Sequence, residues 1–354
     1  VGARDVSRRV WIAIGLVALL AFMFALPSIL NNLYWTHVLV LSTITALMAV
    51  SLRTLARTGL IYMGTAGFML TGAYTSAILV VKAGFAVWPA MFLGALMAAT
   101  IALVVGIPFL RAKGIYFAIL TVMMSEVLRN IVWYWNSLTG GSTGLRGIPE
   151  PEPINLGVAT LSFDTRANYY YLALVLVVIC LIILYRVEKS WLGNMWTAIN
   201  ENDLLARSVG IHIKSHKLLV FTITAFFTGF AGALYAHYMG TLSPYGYPGS
   251  PFSFTASVYT IMYMMVGGEA YFAGPIVGAF LLTFVPELSR GVQEYLPIIF
   301  GALIIFIVFV MPEGLLGLLH AIVRRVKRVY GKNKAGPAPA VTPVVEQEVG
   351  ERNE

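Results

Sequence analysis

The residues best placed to do chemical or mechanical work lie between Arg186 and Lys217, in RVEKSWLGNMWTAINENDLLARSVGIHIKSHK. This is the only long polar run between two hydrophobic stretches that combines mixed charge with a helical period. It gathers Glu188, Lys189, Asn200, Glu201, Asn202, Asp203, Arg207, His212, Lys214, His216 and Lys217. Ile199, Ala206, Val209 and Gly210 recur at roughly helical spacing, which gives the run a small apolar face. Two readings stay open: a solvated helix between two spans, or a short helix that seats in a partner's groove. On the second, residues 194–210 form one helix along the membrane face. Asn200 or a neighbour caps it, Glu201 and Asp203 suit its N-terminal half, and Gly210 ends it in a left-handed turn. Ala206 is the small residue that lets the partner approach.

A second candidate is Glu126 with Arg129, in VMMSEVLRN. Three residues apart, they share one helix face, and ionisable groups inside an apolar span are functional candidates. They line a water-filled cavity, or they form a structural ion pair. Glu269, in VGGEAYFAG, is expected at the same membrane face as the polar run, as part of a docking surface. His212 and His216 stand at i,i+4 in a cationic loop with no fixed carboxylate nearby, so no metal site is expected. No G-x4-G-K-[ST] occurs, so any nucleotide-driven work must come from a partner. With no Ser-His-Asp order and no H-E-x-x-H, nothing supports an enzyme.

The elements that must hold these residues are membrane spans. Of 354 residues 58% are hydrophobic and 11% are charged, against about 25% charged in an ordinary soluble domain. The mean hydropathy is +0.80. The lone cysteine, Cys180, lies in an apolar run and supports neither a disulfide nor a thiolate metal site. The net charge of +8 does not point to nucleic acid, because the basic residues cluster at span ends and in the tail.

A spanning helix needs about 20 apolar residues. On that basis ten segments read as spans, several of them short, at 10–27, 37–52, 59–81, 88–110, 115–135, 168–186, 217–239, 254–270, 273–289 and 297–318. Ten spans place Arg53, Arg57, Arg111, Lys113, the 186–217 loop and the basic cluster from Arg324 on one side, with both termini. By the positive-inside rule that side is the cytoplasm. The first segment follows Arg4, Arg8 and Arg9 and resembles a signal peptide. It lacks a small-x-small cleavage site and runs into further spans, so an uncleaved helix is expected.

Residues 1–330 thus read as a single all-α membrane domain. An outside loop at 136–167, rich in Gly and Pro, should make turns and a short helix. The tail at 331–354 is expected to be disordered. Two apolar segments, 59–77 and 267–284, are interrupted by closely spaced glycines. Broken segments in two parts of a chain point to a transport path, and small residues equally serve close helix packing. Path candidates are Gly67, Tyr74, Tyr116, Glu126, Gly267 and Gly268.

The run AINENDLLARSVGIHIKSHKLLVF resembles the cytoplasmic coupling loop of bacterial ABC importer permeases. Most such loops read Glu-Ala-Ala-x3-Gly; here Ala206 and Gly210 fit that spacing and Glu201 stands three residues early. With MGTAGFMLTGAY, PFLRAKGIYFAILTVMMSEVLRN, LTGGSTGLRGIP, TGFAGALYAHYMGTLSP, MYMMVGGEAYFAGPIVGA and MPEGLLGLL, residues 35–320 resemble the M-type (LivM-type) permease of branched-chain amino acid ABC importers. That resemblance implies the large, type II-like importer fold of about ten helices in a bacterial inner membrane. It implies a homologous second permease, two cytoplasmic ATPases that use ATP and Mg, and a periplasmic solute-binding protein. The chain itself would bind no cofactor. Glu201, Ala206 and Gly210 would couple it to the ATPases. The LSPYGYPGSPFSF region is less typical, which leaves urea, short amides or other carboxylates as alternative solutes. A stand-alone channel or carrier would need no such loop.

Overall fold

In the computed structural model, the described residues are 32–112, 114–155, 160–161, 163, 165–245, 250–288 and 314–318, with isolated positions in 23–27 and 295–309. The first and tenth expected spans and the tail therefore fall largely or wholly outside the described residues. Each of the other eight overlaps a helix.

The helices are α1 (Leu33–Ala56), α2 (Thr65–Val81), α3 (Val87–Phe109), α4 (Ile115–Tyr134), the one-turn α5 (Asn136–Thr139), α6 (Arg166–Lys189), α7 (Trp191–Glu201), α8 (Asp203–Ser208), α9 (Ile213–Met239), α10 (Phe254–Gly267) and α11 (Gly274–Leu288). Five of them (α1, α3, α4, α6 and α9) are long and apolar enough to cross a membrane, and α2, α10 and α11 are shorter apolar helices.

Helix α1 starts at Asn32, whose side chain accepts from the Tyr34 amide at 3.0 Å. It is buried nearly all round, as expected of a helix without a polar face, and α6, α9, α10 and α11 pack around it. Helices α2, α3 and α9 form the tightest cluster. Glycine makes this possible, because a Cβ on Gly72 would collide with the Gly229 backbone and one on Gly232 with the Met69 carbonyl. Hydroxyls bind helices across the core: Ser51 pairs with Thr228 at 3.2 Å, and Thr224 donates to the Ser51 carbonyl at 3.1 Å. Helix α4 buries one face, Phe117, Thr121, Ser125, Leu128 and Val132, and turns Met123, Val127 and Ile131 outward.

The segment expected as a span over 59–81 is helical only from Thr65. Gly59 has φ +72°, and residues 60–64 run outside any helix. Backbone groups here and in the first turn of α2 are met by side chains of other helices: the Met63 amide donates to Thr121 Oγ1 at 3.3 Å, and the Ala66 amide to Ser257 Oγ at 3.0 Å. Ser125 Oγ donates to the Gly64 carbonyl at 3.0 Å. Irregular backbone among spans is stable when protein groups satisfy it. The other glycine-broken stretch ends α10 at Gly267 and opens α11 at Gly274.

The 136–167 loop holds, besides α5 and a 3-10 turn at Gly141–Thr143, short strands not expected from its sequence. Leu145–Arg146 pairs antiparallel with Thr241–Leu242, and Ile154–Asn155 with Thr160–Leu161. The buried His237 also holds this loop, with Nδ1 2.8 Å from the Pro149 carbonyl and Nε2 2.8 Å from Ser76 Oγ.

Candidate functional site

The polar run forms two helices, which corrects the single helix expected over 194–210. Asn202 breaks it: its backbone is extended (φ −160°, ψ 108°), and its Oδ1 accepts from the Leu204 and Leu205 amides at 2.9 and 3.0 Å. A side chain that caps the next helix competes with continuation of the previous one. Glu201 is consequently the last residue of α7, outside the N-terminal half of a docking helix, and the cap is Asn202, a neighbour of Asn200. Asp203 does open α8 and is held at 3.1 Å by Lys217. Gly210, with φ +87°, ends α8 as expected. The Ile211 amide reaches back to the Ala206 carbonyl and the Gly210 amide to the Arg207 carbonyl, both at 3.1 Å, the paired bonds of a Schellman turn.

Burial sorts the faces of this element. Trp196 (0% exposed) and Ile199 fix α7 to the bundle. Ala206 is 3% exposed and faces its own chain, which corrects the expectation that it leaves room for a partner. Helix α8 packs on α7 and α9, and a small side chain permits that approach. The other residues from Glu201 to Gly210 are exposed, and among the polar ones stand three large apolar side chains: Leu204 is 80% exposed, Leu205 66% and Val209 72%.

Behind this element lies a buried charge cluster. Arg53, near the end of α1, directs Nη1 at both oxygens of Glu188, at 2.7 and 2.5 Å. Thr54 Oγ1 donates to Glu188 at 3.0 Å, and Arg57 Nη1 at 3.3 Å. The same Arg53 donates through Nε to the Glu269 carbonyl at 2.7 Å and stands over the Phe272 ring. Arg57 Nη2 donates to Thr197 Oγ1 of α7 at 2.7 Å. Side chains of Arg53 and Glu188 are only 5% and 3% exposed. A cavity of about 610 Å³ opens beside them, bordered by Lys189, Asn200 and Glu269. The sequence places Arg53 and Arg57 on the cytoplasmic side, Glu188 in the polar run and Glu269 on a docking surface, without joining them. The available signal was that the helical pattern of α1 continues through Arg53 to Ala56, which places Arg53 inside a helix.

The second candidate lies toward the other end of the bundle. Glu126 and Arg129 are paired, and the Arg129 guanidinium sits 4.3 Å from the centre of the Tyr245 ring. Tyr245 is oriented by the edge of Trp133 and donates to Asn130 at 3.3 Å. Arg129, Tyr245, Ser250, Ser253, Thr255 and Tyr259 line a cavity of about 380 Å³. The two open readings of the Glu126–Arg129 pair thus meet in one place: an ion pair is formed, and its arginine lines a polar cavity.

The remaining candidates do not join this group. A Cβ on Gly67 would strike Ser125, so Gly67 seats α2 against α4. Tyr74 is 3% exposed and packs on Phe252. Tyr116 is 68% exposed on the outer face of α4. Gly267 and Gly268 form the turn into α11 beside the Arg53 cluster: Gly267 has no room for a Cβ against Gly274, and Gly268 has φ +106°.

The family model for the branched-chain amino acid transport system permease component matches residues 34–308. The high-affinity branched-chain amino acid transport system permease protein LivM of Escherichia coli K12 is 32% identical over 320 residues, covering 85% of this chain and 74% of that protein. LivM of Salmonella typhimurium LT2 is 33% identical over 276 residues, covering 73% of this chain and 64%, just under two thirds, of its own length. The LivH permease protein of the same Salmonella strain is 29% identical over 271 residues, covering 72% of this chain and 80% of that protein. No solved structure matches the chain.

Proposed function

The chain belongs to the branched-chain amino acid transport permease family, as a permease subunit of an ABC importer, and we propose that it carries branched-chain amino acids inward across a bacterial inner membrane. It spans the membrane about ten times in the large, type II-like arrangement, with both termini in the cytoplasm. It pairs with a homologous permease, of the kind represented by LivH beside LivM. Two cytoplasmic ATPases using ATP and Mg drive it, and a periplasmic binding protein supplies the solute.

The observation that carries this reading is the α7–α8 element. A short helix capped by Asn202 and closed by Gly210 holds Leu204, Leu205 and Val209 outward while Ala206 and Trp196 anchor it. Apolar residues presented this way on a capped helix suit a groove on an ATPase subunit, and a stand-alone carrier has no use for them. Coupling therefore lies in Leu204, Leu205 and Val209, with Ala206 and Gly210 shaping the helix and Glu201 at the joint before it.

Arg129 bordering a hydroxyl-lined cavity suits a solute that carries a carboxylate, which favours amino acids over urea and short amides. Glu126 is the path candidate retained. Uptake into proteoliposomes holding the two permeases, the ATPases and the binding protein tests the reading. ATP-dependent leucine, isoleucine or valine uptake is the expected result. Uptake without ATP, or of urea alone, refutes it.

A further inference from the structure

We propose that Arg57 and Thr197, acting through Glu188 and Arg53, form the strut that transmits movement of the coupling element to the transmembrane bundle. The proposal rests on the importer reading above and names the positioning residues of its coupling step.

Three separate parts of the chain meet at this cluster. Glu188 lies in the last turn of α6, just before the coupling element. Arg53 and Arg57 close α1, the central helix. The Glu269 carbonyl belongs to the turn between α10 and α11. Arg53 bonds both Glu188 and that turn, so a single guanidinium fixes α6 to two other units. Separating them would leave a buried charge without its partner, which is far costlier than moving the units together. A displacement of α6 therefore carries α1 and the α10–α11 turn with it.

Helix α7 is linked to this block from the side. Thr197 Oγ1 accepts from Arg57 at 2.7 Å while donating to the Gly193 carbonyl at 3.0 Å. Gly59, just past α1, lies against Asn200, where a Cβ would come within 2.7 Å of Oδ1. The Arg57 side chain is 27% exposed, so the Arg57–Thr197 bond can be cut without stranding a fully buried charge. That separates transmission from folding.

The test is the number of solute molecules transported per ATP hydrolysed, in the assembled wild-type complex and in complexes carrying Thr197→Val, Thr197→Ser and Arg57→Met. Valine keeps the shape of threonine and removes the acceptor. Thr197→Val is expected to lower the ratio at least about fivefold, the lower bound of a typical coupling between two sites, with complex yield and basal hydrolysis unchanged. Thr197→Ser restores the ratio, and Arg57→Met combined with Thr197→Val costs no more than either alone. An unchanged ratio in assembled Thr197→Val complex overturns the proposal. So does additive loss in the double variant, or a fall in yield at constant ratio, which marks a merely structural bond. If the wild-type complex shows no solute-stimulated hydrolysis, the importer reading fails and the strut falls with it.

Discussion

Leu204→Ala is the most direct probe of the coupling surface. Leu204 is 80% exposed, so its removal does not disturb the core and α8 keeps its Asn202 cap. The change deletes three carbons. At about 0.8 kcal/mol for each when buried, scaled by the fraction still exposed, docking loses about 2 kcal/mol. That corresponds to roughly a thirtyfold weaker association with the ATPase subunit. Titrating purified ATPase onto permease in lipid nanodiscs reads the affinity, and solute-stimulated hydrolysis reads the coupling. Both should fall, while basal hydrolysis of the free ATPase stays level. Ala206→Trp should behave differently: with Ala206 3% exposed, a bulky group there displaces α8 from α7 and α9. Exchange of the 203–208 amides should then rise before any partner is added. Wild-type affinity for the Leu204→Ala permease, or a large defect in Ala206→Ser, would refute the assignment of the faces.

Asn202→Ala removes the side chain that accepts from two amides of α8 and should destabilise that helix by about 1 kcal/mol, seen as faster amide exchange confined to residues 203–208. Glu126→Gln should leave complex yield intact and lower uptake about tenfold, the scale of one lost charged hydrogen bond of about 1.5 kcal/mol; a collapse of assembly rescued by exchanging the charges of Glu126 and Arg129 would mark the pair as structural. Glu188→Ala should destabilise the permease by about 3–5 kcal/mol by stranding Arg53, with much of the loss regained in Arg53→Met/Glu188→Leu; equal thermal stability of Glu188→Ala and wild type contradicts the buried cluster. Reporter fusions at Asn155 and Glu354 should read outside and inside, and the reverse at either site breaks the topology.

What could be read from sequence follows from the range of the interactions involved. Spans such as Val87–Phe109 and Ile115–Tyr134 agree with their hydrophobic runs to within a residue, because desolvating a helix depends on composition alone. The stop at Gly210 was legible for a similar reason, as a left-handed turn is a local demand on one residue. The break at Asn202 was local too, but Asn200 and Asn202, two residues apart, were both residues of the capping type. Only packing of Trp196 and Ile199 on one side and Ala206 on the other selects among them. The pairing of Arg53 with Glu188 joins residues from α1 and α6, and no pattern within either helix announces it. Ala206 shows the limit most clearly: smallness signalled close approach correctly, and only the fold reveals that the approaching surface is the chain itself.

The non-helical residues 60–64 have a consequence for how the bundle can deform. Their backbone is held by Thr121 and Ser125 from α4 and, at Ala66, by Ser257 from α10. If either helix slid along the membrane normal alone, an amide would be left dry and unpaired, at about 1–3 kcal/mol for each. The start of α2, the middle of α4 and the first turns of α10 are thereby stitched into a single rigid body. Arg129 of α4, and Ser253 and Ala256 at the start of α10, which line the hydroxyl-rich cavity, lie within about a turn of these bonds. Helix α10 runs from this body to the turn that Arg53 holds through the Glu269 carbonyl, so a shift of that turn reaches the cavity wall through a single helix.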